Sequence, residues 1–294
     1  MRLPEALSWW REVPGGGAWL ESLPGLATEC ADRWRLRLGE PFEGSHVSLV
    51  LPADREDATR VVVKLNFPEP ESEHEAALDY WDGDGAVRLL GHDPERRALL
   101  IERCEPGTQL RELGDEDEAN RVAARVLRRL WRPPSPGYPF RLLADEAARW
   151  AEELSSDWQR LGRPFERELV DEAIAACREL VPVQGKQVVL HQDFHGGNVL
   201  RSADRGWLAI DPKPLVGERE FDAASLLRDR RWELRDLTAG RRVRRRLDLL
   251  AQDLGLDRER MRRWSIAHAL AWGVSTRKLQ EDMVACARWL AAAR

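Results

Sequence analysis

The spacing of apolar residues changes along the chain from short β-type runs to long helical repeats. Short apolar runs lie at Arg35–Leu38, Val47–Leu51 and Arg60–Leu65, and two more follow at Ala86–Leu90 and Ala98–Glu102. Pro, Gly, Asp and Ser separate the first three runs, which is typical of strands joined by turns. These three runs therefore predict an antiparallel meander, which the later two extend.

Helical spacing appears on both sides of the meander. Glu71–Trp81 predicts a helix between the third and fourth runs, because its apolar residues share one helical face. Met1–Arg33 also has helix-like spacing, which Pro14-Gly15-Gly16-Gly17 interrupts. We expect this first stretch to be a helical extension that packs on the strand region.

After Gly107 the chain becomes mainly helical. Apolar residues at three- and four-residue spacing predict helices over Asp117–Trp131, Ala144–Leu161, Phe165–Leu180, Val243–Leu254, Arg258–Trp272 and Thr276–Ala293. The sequence thus predicts an α+β chain in three parts. They are an N-terminal extension over residues 1–33, a small sheet domain over 34–104 and a larger helical domain over 105–294.

Composition narrows the possible functions. With 294 residues, 43% hydrophobic and 33% charged, the chain has the composition of an ordinary soluble protein. A net charge of −5 gives no general attraction to nucleic acid, and the arginine-rich run Arg241–Leu247 predicts the solvent-exposed face of an amphipathic helix. The sequence has neither a long apolar run nor a signal-peptide pattern, so we expect a cytoplasmic protein without a membrane partner. The four scattered cysteines predict buried, reduced thiols.

One polar loop between two apolar runs carries the clearest chemical signal. Within Val188–Asp211, the residues His191, Asp193 and Asn198 have the spacing H-x-D-x-x-x-x-N, which is that of a kinase catalytic loop. Phosphoryl transfer requires a carboxylate to orient an acceptor hydroxyl and hard oxygen ligands for Mg²⁺. We therefore predict Asp193 as the catalytic base and Asn198 and Asp211 as magnesium ligands. Gly196 and Gly197 are expected to permit a sharp turn.

The same loop permits other interpretations. His191, Asp193 and His195 form H-x-D-x-H, which could hold zinc or iron in a metal-dependent hydrolase. His191 could also be a buried structural histidine. His195 has no role assigned by the kinase spacing.

Residues of a nucleotide site are predicted in the sheet domain. Lys64 ends the β-branched run Val61–Lys64, which matches the strand lysine that contacts the α- and β-phosphates in kinases. Glu75 or Glu73, at the start of the next helix, could form an ion pair with Lys64, and we favour Glu75. Gly44 and Ser45 lie in the turn that corresponds to a phosphate-covering hairpin, although a lone glycine is a weak signal.

The fifth strand-like run leads into a possible hinge. Ala98–Glu102 continues into Arg103-Cys104-Glu105-Pro106-Gly107, where Pro and Gly stop the strand. In a kinase, exposed backbone groups at this position hydrogen-bond adenine. Glu102 and Cys104 are therefore the predicted adenine-binding positions.

Together these segments resemble a known family. Lys64, the helical glutamate, LLIERCEPG, HQDFHGGNVL and IDPKPLVGEREFD are similar to the aminoglycoside phosphotransferase group of the protein-kinase-like fold. WDGDGAVRLLGHD and LAIDPKPLVGEREFDAASLL are especially similar to its streptomycin 6-kinase and hydroxyurea phosphotransferase branch. The resemblance implies two lobes, an antiparallel sheet and a larger helical lobe. It also implies an ATP- and Mg²⁺-dependent O-phosphotransferase in which Asp222, with His191, supports the catalytic loop.

The size of the substrate follows from the sequence itself. Only ten residues separate Asp211 from Asp222, and neither D-F-G nor A-P-E is present, so the segment with which protein kinases bind peptide is missing. We expect a small substrate such as streptomycin and no protein substrate. A cationic aminoglycoside would be held by carboxylates, for which Glu218, Glu220, Asp229 and Asp282 are available. Hydroxyurea or another small metabolite, and a nucleotide-binding module without turnover, are the alternatives.

Overall fold

A computed structural model describes residues 1–68, 74–137, 139–231, 234, 238–274 and 279–294. The chain forms two compact units, Met1–Gly107 and Thr108–Arg294. The described elements of the first unit are a 3₁₀ helix at Glu5–Glu12, α1 (Gly16–Trp34), β1 (Leu36–Leu38), β2 (Ser48–Arg55), β3 (Arg60–Asn66), α2 (His74–Trp81), β4 (Leu89–Asp93) and β5 (Ala98–Glu102).

The strands of the first unit form one antiparallel sheet in the order β1-β2-β3-β5-β4. The prediction for β4 was displaced, since the strand begins at Leu89 and not at Ala86. Gly83 and Gly85 have positive φ values of 78° and 87° and keep the chain in turns before the strand begins. A register shift between Leu89 and Gly91 then interrupts the regular pairing of β4 with β5.

The N-terminal segment completes the core of this unit. Alternate residues of three strands point to one sheet face, since side chains along a strand alternate between its two sides. That face and the N-terminal helices share one hydrophobic cluster, which contains Leu7, Trp10, Trp19, Leu20, Leu23, Ala27, Cys30, Leu49, Leu51, Ala53, Val61, Val63, Leu65, Ala98 and Leu100. By the same alternation, Lys64 lies on the opposite face of the sheet, where it is 2% exposed.

A glycine turn positions the N-terminal segment. Gly15 has a φ of 80° before α1 begins. At Gly16 an added Cβ would lie 1.9 Å from the carbonyl oxygen of Trp10, so only glycine permits this approach. The turn brings Trp10 and Trp19 into edge-to-face contact, with ring centroids 5.3 Å apart.

Helices dominate the second unit. Its described helices are α3 (Glu116–Leu130), α4 (Leu143–Arg160), α5 (Arg167–Leu180), α6 (Arg219–Asp222), α7 (Ala224–Leu227), α8 (Ala239–Leu254), α9 (Arg258–Val274) and α10 (Glu281–Ala291). Its strands are β6 (Pro106–Gln109), β7 (Arg141–Leu142), β8 (Gln187–Leu190), β9 (Val199–Ser202), β10 (Gly206–Ala209) and β11 (Leu215–Glu218). They form two small sheets, β10-β9-β6 and β7-β11-β8.

The predicted helix bounds in this unit agree with the structure within a few residues at most ends. Three strands, β6, β7 and β11, were not predicted because runs of two to four residues carry too little pattern. The last helix begins at Glu281, whereas we predicted Thr276, which lies outside the described residues. No described helix is long and apolar enough to span a membrane. As predicted, all four cysteines are buried free thiols.

Helix α8 has the predicted solvent-exposed arginine face at Arg241, Arg244 and Arg245, but Arg246 in the same run is buried. Arg246 is 2% exposed and donates through Nη1 to the carbonyl oxygens of Leu226, Leu227 and Asp229 at 3.2, 3.1 and 2.6 Å. Its Nε lies 2.8 Å from Oε1 of Glu116. The guanidinium therefore satisfies the carbonyl groups at the end of α7 and joins α8 to α3.

Candidate active site

The hairpin formed by β9 and β10 places two predicted metal ligands, Asn198 and Asp211, at the same end of the hairpin. Val199 pairs with Ala209, and beyond this pair the amide of Ile210 donates to the carbonyl oxygen of Asn198 at 2.9 Å. Asp211 is the next residue and has a φ of 57°. The hairpin register thus places Asn198 and Asp211 where the strands β9 and β10 meet the polar loop.

The Asn198 side chain is oriented by the loop itself. Its Nδ2 donates to the carbonyl oxygen of Asp193 at 3.0 Å. Because the amide nitrogen makes this bond, the amide oxygen points away from it and is the atom able to bind a cation. An amide oxygen and a nearby carboxylate suit a hard divalent ion such as Mg²⁺.

Two cations surround the carboxylate of Asp193. Nη2 of the buried Arg228 donates to Oδ1 at 2.9 Å, and Nζ of Lys213 lies 3.6 Å from Oδ2. Burial opposes ionisation of Asp193, but the Lys213 and Arg228 charges outweigh burial and hold the pKa of this carboxyl well below its usual range. Asp193 is therefore ionised at neutral pH. An ionised carboxylate can accept a hydrogen bond from a hydroxyl group.

His195, which had no predicted role, caps the short 3₁₀ helix Gly196–Asn198. Its Nδ1 accepts from the amide of Gly197 at 3.1 Å and from Nη2 of Arg111 at 2.9 Å. Both groups can only donate, so a neutral ring carries its proton on Nε2. Burial lowers the pKa of His195 against the effect of Asp193, which favours this neutral form. The Nε2 atom lies 3.7 Å from Oδ1 of Asp193.

A buried carboxylate holds the backbone that precedes Asp193. Asp222, which is 0% exposed, accepts from the amides of His191 at 3.0 Å and Gln192 at 2.7 Å, and from Nε1 of Trp131 at 2.9 Å. Gln192 has a φ of 64°, a left-handed conformation that costs a non-glycine residue about 1 kcal/mol or more. The Oγ of Ser225 donates to the Gln192 carbonyl at 2.7 Å. These bonds fix the strained residue on which the direction of Asp193 depends.

Close packing explains the two glycines of the loop, which we had assigned to a sharp turn. A Cβ at Gly196 would lie 2.5 Å from Oδ2 of Asp229 and 2.9 Å from the amide nitrogen of Arg111. A Cβ at Gly197 would lie 1.3 Å from Nη2 of Arg111. Gly196 and Gly197 are not among the described residues with a positive φ. A left-handed turn therefore does not explain them.

We expect Gly196→Ala to lower the free energy of unfolding by about 1–3 kcal/mol, because the added methyl group displaces Asp229 and the Arg111 backbone. Urea unfolding checks this value. Gly114→Ala is the matched control, since its Cβ would have no heavy atom within 4 Å. Equal stabilities of the two variants would contradict the packing explanation.

The carboxylates predicted to hold a cationic substrate have different environments. Glu218 is 0% exposed and is paired with Nη2 of Arg260 at 2.7 Å, so it is a structural residue, in contrast to its predicted role. Asp229 accepts from the amide of Gly196 at 2.6 Å and so supports the loop. Asp282 is partly exposed and lies 2.6 Å from Nε of Arg231. Glu220, Asp229 and Asp282 are all partly exposed, whereas Glu218 is buried.

The predicted nucleotide residues all belong to the first unit. Lys64 is buried in β3, and Glu75 lies in the first turn of α2, while the alternative Glu73 lies outside the described residues. Gly44 and Ser45 lie between β1 and β2, where Oγ of Ser45 donates to the carbonyl of Ser48 at 2.7 Å. At the end of β5, Oε2 of Glu102 accepts from the amide of Arg88 at 3.0 Å, and Cys104 is buried. Their nucleotide contacts stay predictions.

The transition-metal alternative has no support. Within the described ranges, no group of three or more His, Cys, Asp or Glu residues could hold a metal ion. His191 is fully buried, and its Nε2 donates to the carbonyl oxygen of Ile210 at 2.9 Å. This imidazole therefore serves the structure of the loop.

Comparison with known proteins identifies the family. Residues 33–280 match the model of the aminoglycoside/hydroxyurea antibiotic resistance kinases. The chain belongs to this kinase family. It is 41% identical to streptomycin 6-kinase of Streptomyces glaucescens over 260 residues, which cover 87% of this chain and 83% of that protein. It is 38% identical to hydroxyurea phosphotransferase of Kitasatospora aureofaciens over 258 residues, covering 87% and 73% of the two chains.

Solved structures agree with the predicted kinase fold. A choline kinase from Streptococcus pneumoniae superposes with a TM-score of 0.60 at 11% identity and covers 92% of this chain and 98% of its own. The predicted α+β, protein-kinase-like fold and the predicted membership of the streptomycin 6-kinase and hydroxyurea phosphotransferase branch are confirmed. As a member of this family, the protein is a phosphotransferase that uses ATP.

Proposed function

We propose that this family member transfers the γ-phosphoryl group of ATP to a hydroxyl group of streptomycin or a closely related aminoglycoside. The observation that carries the proposal is the likeness to two streptomycin 6-kinases, from Streptomyces glaucescens and Streptomyces griseus, each 41% identical over 87% of this chain. The carboxylate of Asp193, held between Arg228 and Lys213, supplies the group that such a transfer requires.

Asp193 would accept the hydrogen bond of the acceptor hydroxyl and aim its oxygen at the phosphorus atom. A carboxylate with a lowered pKa is a weak base, so it takes the proton late, when the oxygen–phosphorus bond is already forming. Positioning is thus its main contribution, as expected for phosphoryl transfer. Asp222 and Ser225 support this position through the backbone of residues 191 and 192.

The remaining roles follow from the family motif and the chemistry of the side chains. The amide oxygen of Asn198 and the carboxylate of Asp211 would hold Mg²⁺, which neutralises charge on the phosphate oxygens. Lys64 would contact the phosphates of ATP, with Glu75 as its ion-pair partner. Gly44 and Ser45 would cover the phosphates, and the backbone at Glu102 and Cys104 would bind adenine.

Hydroxyurea is the second candidate acceptor, and one observation favours it. Lys213 and Arg228 both lie against the carboxylate of Asp193, so a cationic group brought to that carboxylate meets their repulsion, whereas a neutral acceptor does not. A relative named hydroxyurea phosphotransferase is 38% identical. In an aminoglycoside, the cationic groups would contact carboxylates farther from Asp193, such as Glu220 and Asp282.

The test is a product assay with streptomycin, hydroxyurea and a neutral polyol as separate acceptors. We expect one acceptor to gain a single HPO₃ group in the presence of ATP and Mg²⁺, detected by mass spectrometry, and the product to be absent when EDTA is added. Streptomycin as the best acceptor supports the first proposal, and hydroxyurea supports the second. A rise in melting temperature with ATP but no product from any acceptor would overturn both.

A further inference from the structure

One aromatic ring lies beneath both cations that face the proposed catalytic base. On α9, the Trp272 ring centroid is 4.5 Å from Nζ of Lys213 and 4.7 Å from the guanidinium carbon of Arg228. These two side chains come from different segments, the loop after β10 and the end of α7. Trp272 is therefore the common contact of the groups that lie on Oδ1 and Oδ2 of Asp193.

The two cations differ in how firmly they are held. Arg228 is buried, and its Nη2 also lies 3.1 Å from Oγ of Ser225, so several contacts fix its position. The side chain of Lys213 is 41% exposed, and its Nζ is 3.6 Å from Oδ2 of Asp193, which is beyond ordinary hydrogen-bond length. Attraction to the carboxylate alone leaves an exposed lysine mobile. The face of Trp272 supplies the second contact that orients it.

Trp272 is itself supported from within the helix. His268, one turn earlier on α9, stacks on its ring with centroids 4.5 Å apart and an interplanar angle of 29°. The rings of Trp150 and Phe221 make edge contacts with His268 at 5.8 and 5.5 Å. His268 is fully buried, so the base of the stack cannot move without disturbing the core.

We infer that Trp272 is a positioning residue for phosphoryl transfer, which acts by holding Lys213 and Arg228 on the two oxygens of Asp193. This inference rests on the proposed function. Without the ring, Lys213 loses the surface that keeps its ammonium group beside Oδ2. The ammonium can then swing toward solvent or across the carboxylate, and in either position Asp193 presents its oxygens to the acceptor in fewer productive orientations.

Three variants test the inference. Trp272→Leu removes the aromatic face and Trp272→Phe keeps a smaller one. Trp158→Leu is the matched control, because Trp158 on α4 also lies between two guanidinium groups, of Arg163 and Arg167 at 5.8 and 5.4 Å. We expect Trp272→Leu to lower kcat by roughly tenfold with KM for ATP unchanged, and Trp272→Phe to retain most of the rate. Trp158→Leu should lower the melting temperature but keep the wild-type kcat.

A double-mutant cycle with Lys213→Met separates positioning from general packing. If Trp272 acts through Lys213, adding Trp272→Leu to Lys213→Met lowers kcat much less than Trp272→Leu does alone. Should the leucine variant fail to fold, the cycle made with Trp272→Met and Lys213→Met gives the same comparison, because methionine also lacks the aromatic face. Additive losses, an unchanged kcat in the Trp272 variant that lacks the aromatic face, or an equal loss in Trp158→Leu would overturn the inference.

The wild-type protein in the same assay separates failure of the role of Trp272 from failure of the proposed function. Turnover of any acceptor by the wild type, together with additive losses, overturns the role of Trp272 alone. No turnover of any acceptor overturns the proposed function, and the role of Trp272 in the reaction fails with it. Turnover by the wild type, together with non-additive losses in the double-mutant cycle, supports both the proposed function and the role of Trp272.

Discussion

Replacing Asp193 by asparagine is expected to lower kcat by about 10²- to 10⁴-fold, the usual contribution of a positioned general base. The amide keeps the size of the side chain but cannot take a proton, and it loses the ionic attraction of Arg228 and Lys213. KM for ATP should change little, because the assigned phosphate contacts belong to other residues. Steady-state rates with the best acceptor provide the measurement.

Asp204→Asn is the control for this substitution. Asp204 is exposed in the turn between β9 and β10, so the same chemical change there should leave kcat unchanged. Circular dichroism spectra of both variants establish that they are folded. Turnover by Asp193→Asn within a fewfold of the wild type would remove Asp193 from the mechanism.

Asp222→Asn is expected to have the second-largest effect, on stability and on rate together. Asp222 accepts hydrogen bonds from the amides of His191 and Gln192 and from Trp131, and an amide group replaces one acceptor oxygen by a donor. A buried donor left without an acceptor costs about 1–3 kcal/mol, so we expect the free energy of unfolding to fall by roughly 3 kcal/mol. Gln192 then loses the contact that maintains its left-handed backbone, and kcat should fall on the order of tenfold or more.

Glu218→Gln distinguishes a specific effect on the loop around Asp193 from a general loss of stability. Glu218 is an equally buried carboxylate, bonded to Arg260, Trp264 and the amide of Gly185, and none of these residues contacts Asp193. Urea unfolding should show a destabilisation of similar size, while kcat at a temperature where the protein is folded stays near the wild-type value. If both variants lost the same fraction of kcat, the specific link between Asp222 and the loop would be wrong.

The residues of the proposed catalytic loop could be grouped from the sequence because they are close along the chain. His191, Asp193, Asn198 and Asp211 lie within one stretch, and a hairpin register needs only local pairing to bring its ends together. The strands β3 and β5 were also readable from their β-branched and apolar runs. Local pattern was sufficient for these features.

The partners of the loop could not be predicted in this way. Arg228 is 35 residues from Asp193, and Arg111 is 84 residues from His195. Arginines are frequent in this chain, and spacing alone does not show which of them becomes buried. Arg246 illustrates the difficulty, because its position in an arginine-rich run suggested solvent, whereas it is bonded to Glu116 and three carbonyl groups. Such roles depend on packing between helices that are distant along the sequence.

The N-terminal segment sets the minimum length of a stable first unit. The family model begins at residue 33, yet seven of the fifteen side chains in the cluster beneath the sheet precede that position. A polypeptide trimmed to the region of homology would uncover the apolar side of β2, β3 and β5, an adhesive surface that favours aggregation. For expression and for domain exchange within this kinase family, the limits of sequence similarity are therefore not the limits of the folding unit.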